Sequence, residues 1–430
     1  MKKHSLCLAV VVLLFVSAIS LLPAQSGDTY VIRNVRVFDG EKIVERQTVV
    51  IGQGRITAIG NAQVSVPTGA QEVAGGGRTL LPGLMDAHIH LPIFPATSAT
   101  EALQQSLAFG VTTSIVMGAA PSQFVARIKE LEDTDPPDIA AVLSAGTYAT
   151  APGGHPTQMS GPGGPAFPTL TAPGEADAFV AARVAEGSDF LKIIYDDIER
   201  FGRKLPTLDE PTVAALAIAA HARGRIAVAH IGNEQYARSA ITAGVDGLAH
   251  LFEGTTVSAD FGQFAAAHGV FVIPTLSVLY ASCGMPDGPG FLKEPETMKQ
   301  VQTRFRTFLE MPMAQSNLRC DAAPPAVRQL AGARVPLLAG TDAPAPGTTY
   351  GASLHKELEH LVNAGLTPTG ALAAATSAVA KAFRMTDRGR ISPGMRADLL
   401  LVDGDPSKQI RATRNIVAIW KRGVRVQRAP

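Results

Sequence analysis

Leu81-Pro-Gly-Leu-Met-Asp-Ala-His-Ile-His90 is the stretch on which the fold turns. An apolar run leads into it, and two histidines two positions apart close it. A strand repeats every two residues, so His88 and His90 project from one face of a strand's end. Similar endings recur downstream: His230 closes Ile226-Ala-Val-Ala-His230, His250 closes Gly247-Leu-Ala-His250, and Asp342 closes Leu337-Leu-Ala-Gly-Thr-Asp342. Five metal-ligating side chains thus terminate four strands at one face. Neutral imidazole nitrogen and carboxylate oxygen in such a set suit Zn²⁺.

The strands themselves are read from short apolar runs separated by Ala-rich helical stretches. The runs are Leu80–Met85, Val111–Met117, Ile139–Leu143, Phe190–Ile194, Ile226–Ala229, Gly247–Ala249, Val270–Ile273 and Val335–Ala339. Nearly continuous apolarity fits parallel strands buried on both faces. Eight such units over residues 80–385 predict an α/β fold, a (β/α)8 TIM barrel, with ligands at the strand ends. No run is followed by GxGxxG or GxxxxGK[ST], which argues against dinucleotide or P-loop chemistry. The segments Tyr30–Asp39, Thr48–Gly52 and Arg55–Ile59 read as short strands, as do Ala397–Asp403 and Val417–Val426. Residues 26–79 and 386–430 are therefore expected to form one flanking β-sandwich built from both termini.

Composition narrows the function classes. Of 430 residues 46% are hydrophobic and 17% charged, which provides a large core. With 38 basic and 37 acidic residues, no field for nucleic acid or an anionic membrane surface exists. Lys2 and Lys3 precede an apolar run from Leu6 to about Leu22, then Pro23-Ala-Gln-Ser26, the pattern of a secretory signal peptide over residues 1–25. The mature protein is expected in the periplasm or outside the cell, with no membrane contact after cleavage. Cys283 and Cys320 remain after the leader, either as a bridge or as two separate thiols; the oxidising compartment favours the bridge. Long loops at 146–173 and around these cysteines are expected over the barrel mouth.

The chain resembles the amidohydrolase superfamily, especially its imidazolonepropionase-like and Xaa-Pro dipeptidase-like members. The likeness rests on residues 81–90, Phe190-Leu-Lys-Ile193, Gly244-Val-Asp-Gly-Leu-Ala-His250, Gly340-Thr-Asp-Ala343, Leu366-Thr-Pro368, Ala373-Ala-Ala-Thr-Ser377 and Gly389-Arg-Ile-Ser-Pro-Gly-Met-Arg-Ala-Asp398. It implies two divalent metal ions, zinc by the ligand types. His88, His90 and Asp342 would hold one and His230 and His250 the other. Lys192, N6-carboxylated, would bridge them, because a desolvated lysine can present the neutral amine that reacts with carbon dioxide. It further implies attack of a metal-activated hydroxide on a small-molecule amide or peptide-like C–N bond, with Asp342 as general base and then acid. A dipeptide or N-acyl amino acid is the expected substrate; a lactone, ester or phosphotriester is the alternative, and a non-catalytic binding barrel a third.

One further position follows from the same likeness, and the rest are read from the residues themselves. His155, in the loop after the third strand, corresponds to a histidine that contacts the scissile carbonyl in related dipeptidases, although Pro156-Thr-Gln-Met159 departs from their pattern. Tyr195, shortly after Lys192, is expected to donate to substrate, with capping of the strand end as the alternative, and Asp86 to orient a ligand histidine. Asp196 and Asp197 read as solvated loop carboxylates. An arginine should grip a substrate carboxylate, and Arg200, Arg203, Arg304, Arg306 and Arg319 are equally eligible. His221, His268, His355 and His360 fall in helical stretches and carry packing or surface roles. A homo-oligomer is compatible with all of this.

Overall fold

The computed structural model describes residues 29–92, 97–118, 122–160, 167–312 and 318–428. The expected signal peptide lies outside them. One sheet has eight strands drawn from both ends of the chain. They are β1 (Tyr30–Phe38), β2 (Ile43–Gly52), β3 (Arg55–Gly60), β4 (Gln71–Ala74) and β5 (Arg78–Pro82). Two parallel sheets follow: β6 (Leu84–Ile89), β7 (Val111–Val116) and β8 (Ala141–Ser144), then β9 (Leu191–Ile194), β10 (Ala227–His230), β11 (Gly247–Ala249) and β12 (Phe271–Ile273). The chain returns to the first sheet in β13 (Leu399–Asp403), β14 (Ile416–Lys421) and β15 (Val424–Arg425).

β5 joins the two ends, running parallel to β1 and antiparallel to β13, in the order β15-β14-β13-β5-β1-β2-β3 with β4 beside β1. Strand alternation then splits its side chains. Leu80, Leu399 and Leu401 enter the sheet's own core with Ile32, Tyr30 and Trp420, whose rings meet edge-on at 5.7 Å. Leu81, Leu400, Val402 and Ile419 point the other way, into the main core. The first apolar run, Leu80–Met85, is therefore two strands in two sheets, parted at Gly83, and not one barrel strand.

Helices separate the parallel strands, among them Thr97–Ala108, Ala176–Ala185, Glu210–His221 and Glu234–Thr242. The edges of the two parallel sheets are connected by single parallel bridges. Ala149 pairs with Ile193 of β9, Leu337 with Val272 of β12, and Ala343 with Ile89 of β6. The eighth run, Val335–Ala339, forms no strand among the described residues. Its backbone is shared between two neighbours over too few residues for a ladder: Leu338 N donates to Val272 O, and Ala339 O accepts from Ala87 N. No helix of the described residues is long and apolar enough to cross a membrane. Cys283 and Cys320 are joined in a disulfide with Cα atoms 6.1 Å apart, and Arg319 O accepts from Gly254 N, docking the stapled loop beside the segment after β11.

Candidate metal centre

The ends of β6, β9, β10 and β11 and the turn at Asp342 meet at one place. His88 Nε2 lies 3.3 Å from His90 Nε2, and both reach Asp342 Oδ1, at 3.2 and 3.1 Å. Ligand-type atoms of His88, His250 and Asp342 fall within 4.8 Å of one another. The His250 ring lies 4.7 Å from that of His88 and 4.5 Å from that of His230. A Cβ at Gly340 would come 2.9 Å from the His88 backbone nitrogen, so only glycine lets the Asp342 turn pack this closely on β6.

The far side of most of these rings is already committed. His250 Nδ1 contacts Thr275 Oγ1 at 2.7 Å, His90 Nδ1 faces Gly118 O at 3.3 Å, and His230 Nε2 meets Asp196 Oδ2 at 3.1 Å. Each partner fixes its ring through one nitrogen and leaves the other uncommitted outside the cluster, the arrangement a metal ligand requires. Asp86 acts through the backbone: its carboxylate accepts from the N–H of His88 and from the N–H and hydroxyl of Thr341, so it holds two ligand-bearing segments together. Complete burial pushes its pKa up to about 7.

Lys192 supplies the most unusual group. It is 1% exposed, and its Nζ has no hydrogen-bond partner among the described residues. Burial lowers its pKa to about 7, opposed only by the charge of Asp342. Burial likewise pushes His88 down to about 3 and lowers His230 and His250. Asp342 goes the other way: desolvation would raise it, but His88, His90 and His250 hold it well below the usual carboxylate range. Neutral imidazoles, an ionised carboxylate and a lysine poised to lose its proton are the protonation states that bind a cation. An amine buried without a partner is costly, and a divalent ion reached through a carbamate would satisfy it. The donor set fits a metal.

His155 is brought to the same cluster, its ring 5.3 Å from that of His230. Gln158 Nε2 lies 2.9 Å from its Nδ1, and burial lowers its pKa to about 3. Tyr195 is not. Three residues beyond Lys192 it projects from the opposite face of β9, and its hydroxyl meets Ser239 at 3.0 Å in the packing against Glu234–Thr242. Substrate binding by Tyr195 is thereby corrected to a packing role. Asp196 and Asp197 are corrected as well. Both are buried. Burial would raise Asp196, but His230 and Arg200 hold it well below the ordinary range. Arg200 binds both oxygens of Asp196, at 2.8 and 2.6 Å, and reaches Glu253 at 2.7 Å.

This Asp196–Arg200–Glu253 chain escaped the sequence reading, because nothing in the spacing of these residues announces an ion-pair ladder. Tyr148 escaped it too. Its ring lies 6.3 Å from that of His90 and stacks on Phe167, and only glycine at 118 leaves room for it, since a Cβ there would fall 2.0 Å from the Tyr148 ring. A cavity of about 650 Å³ lies beyond the ladder, lined in part by Asp197, Arg200, Lys204, Tyr236, Glu253 and Arg319. Arg304 is instead tied to Glu101 and Ser98, and Arg306 to the carbonyls of Met298 and Val301. The other histidines do structural work: His221 pairs with Asp246, His360 with Asp287, His268 with Phe264 O, and His355 is buried.

Residues 79–427 match the model of the amidohydrolase family, and the chain belongs to that family. It is a metal-dependent hydrolase acting on carbon–nitrogen bonds, and such enzymes act on small molecules. An uncharacterized protein of Mycobacterium tuberculosis is 27% identical over 341 residues, 79% of this chain and 82% of that one. The imidazolonepropionase of Streptomyces griseus is 38% identical over 107 residues, 24% of this chain and 27% of that one. The crystal structure of a Xaa-Pro dipeptidase with methionine in its active site superposes with a TM-score of 0.75 at 22% identity, covering 93% of this chain and all (100%) of that one. At that identity the likeness is one of fold.

Proposed function

We propose that this chain is an exported amidohydrolase with two zinc ions that cleaves the amide bond of a dipeptide or an N-acyl amino acid. The single observation that carries this reading is the buried amine of Lys192, without a hydrogen-bond partner among the described residues and within electrostatic reach of His88, His230, His250 and Asp342. We read the bridged parallel sheets as one (β/α)8 barrel and the eight-stranded sheet as its flanking sandwich. The Xaa-Pro dipeptidase neighbour supports the substrate class. The leader pattern supports export, and the disulfide suits an oxidising compartment.

His88, His90 and Asp342 would hold one ion and His230 and His250 the other. The neutral Lys192 amine would add to carbon dioxide, its lone pair forming an N–C bond as one C=O π bond opens and one proton leaves, and the carbamate would then serve as an anionic ligand where the amine cannot. Bound there, divalent ions polarise a carbonyl and make water a nucleophile near neutral pH. Asp342, held ionised, accepts the proton of the attacking water and returns it to the leaving nitrogen. His155, its Nδ1 occupied by the Gln158 amide, carries its proton on Nε2 and donates to the carbonyl oxygen as charge develops. The ladder behind His230 keeps that ring from turning.

Elemental analysis of the purified protein should return two zinc ions per chain, and a panel of dipeptides and N-acyl amino acids should contain its substrate. Turnover confined to lactones, esters or phosphotriesters would overturn the substrate class, and the lack of any metal-restored turnover would overturn the mechanism. Lys192→Ala should lose bound metal and activity, with partial rescue by short carboxylates. Full metal content and activity in that variant would remove the bridge.

A further inference from the structure

Glu357 is a fully buried carboxylate to which the chemistry above assigns no part. It lies on the helix Ala352–Asn363, and its two oxygens accept from the backbone N–H groups of Leu276, at 3.0 Å, and Ser277, at 2.8 Å. Those groups open the helix Leu276–Ser282. A helix leaves its first N–H groups without internal partners, and the hydroxyl of a threonine at the N-cap ordinarily accepts from one of them. Thr275 occupies that N-cap but makes no such bond. Its backbone is left-handed, with φ 47° and ψ 49°, and its hydroxyl is turned to His250 Nδ1 at 2.7 Å. For His250 to ligate through Nε2, Nδ1 must carry the ring proton, and Thr275 Oγ1 is the atom that accepts it.

The two facts explain each other. A threonine drawn away to hold a ligand histidine leaves the helix uncapped, in a buried place where water cannot substitute. A carboxyl group from a distant helix takes over the cap, one oxygen accepting from each of the two N–H groups. The same turn is tied to His250 a second way: Ile273 O accepts from His250 N, and Pro274 O from Leu251 N. We infer that Glu357 is a positioning residue for the metal centre, fixing the left-handed Thr275 whose hydroxyl sets the tautomer and angle of His250. This rests on the reading of His250 as a metal ligand.

A double-mutant cycle read by metal affinity separates this role from ordinary packing. Zinc is titrated into the metal-stripped enzyme against a chromophoric chelator, with the wild type, Thr275→Val, Glu357→Gln and the double variant. Each single variant should weaken one of the two ions by about 10- to 100-fold, the range found when a ligand's outer partner is removed. The double variant should fall no further than the worse single, and Thr275→Ser, which keeps the hydroxyl, should restore wild-type affinity. Glu357→Gln affinities within about twofold of wild type would overturn the inference, as would a double-variant loss equal to the product of the single losses. If Glu357→Gln does not fold, Glu357→Asp is read in its place. Failure of both to fold, judged by circular dichroism, makes the residue a requirement of the fold and counts against the role. A wild type that takes no zinc sinks the functional reading itself; a wild type that takes two, unchanged in Glu357→Gln, sinks only this step.

Discussion

Single residues separate what period and type can tell from what they cannot. His88 and His90 were readable because two residues at a strand's end must share a face, and Asp342 because its chemistry completes theirs. Tyr195 was misread although the same rule applies: counted from Lys192 it falls on the other face, against Ser239. Asp196 falls on the face of Lys192, and its burial against His230 follows from that register. The contrast is testable. Tyr195→Phe removes one hydrogen bond in packing and should cost about 1 kcal/mol of stability with kcat/KM unchanged. Asp196→Asn removes the charge behind His230 and should weaken metal binding by about 10- to 100-fold. Chelator competition and steady-state kinetics on both variants decide it; a reversed order of effects would return Tyr195 to the site.

Elements were legible where they are long or punctuated. The apolar runs at β7, β9, β10, β11 and β12 stand close to their observed bounds. The first run failed because apolarity is the same on either side of Gly83, while hydrogen bonding assigns the halves to different sheets. The pairing of Cys283 and Cys320 depends on a distance no sequence gives, yet it matters for the site's wall. Cys283 directly follows the helix Leu276–Ser282, and Ser282 Oγ meets Glu253, the end of the ladder behind His230, at 3.2 Å. That helix thus touches the supports of His250 at one end and of His230 at the other. A bridge across a separation of 37 residues should contribute about 4 kcal/mol by restricting the unfolded chain. The Cys283→Ser/Cys320→Ser variant should lose stability of that order in urea unfolding, and its zinc affinity should fall as the helix loosens. A loss of stability with zinc affinity intact would show that the bridge only staples the loop.

The whole molecule holds distant segments together through buried polar ties as well as through its cores. The meeting of both termini in one sheet was legible from short strands at either end; the ties were not, because a histidine in a helix gives no sign of what it will face. His355 is the clearest. It is 2% exposed and contacts Phe109 O at 2.9 Å through Nε2 and Thr413 Oγ1 at 3.0 Å through Nδ1, linking the turn after the helix Thr97–Ala108, the helix Ala352–Asn363 and the C-terminal return. Burial, reinforced by the charges of Arg414 and Arg428, lowers its pKa from 6.5 to about 3. The folded chain therefore keeps this ring neutral where the unfolded chain protonates it. Its contribution to stability is fully present above pH 6.5 and is lost as pH falls towards 3, at about 1.4 kcal/mol per unit. His355→Gln gives up the tie and should be less stable at neutral pH by about 1–3 kcal/mol, the cost of the unpaired groups it leaves. Between pH 6.5 and about 4.5, however, the wild type should lose about 2 kcal/mol more than the variant does, less than the full slope over two units because the unfolded ring is already half protonated at pH 6.5. Urea unfolding of the two metal-stripped proteins at both pH values measures that difference, and parallel pH dependences would mean that the buried ring is protonated within the fold.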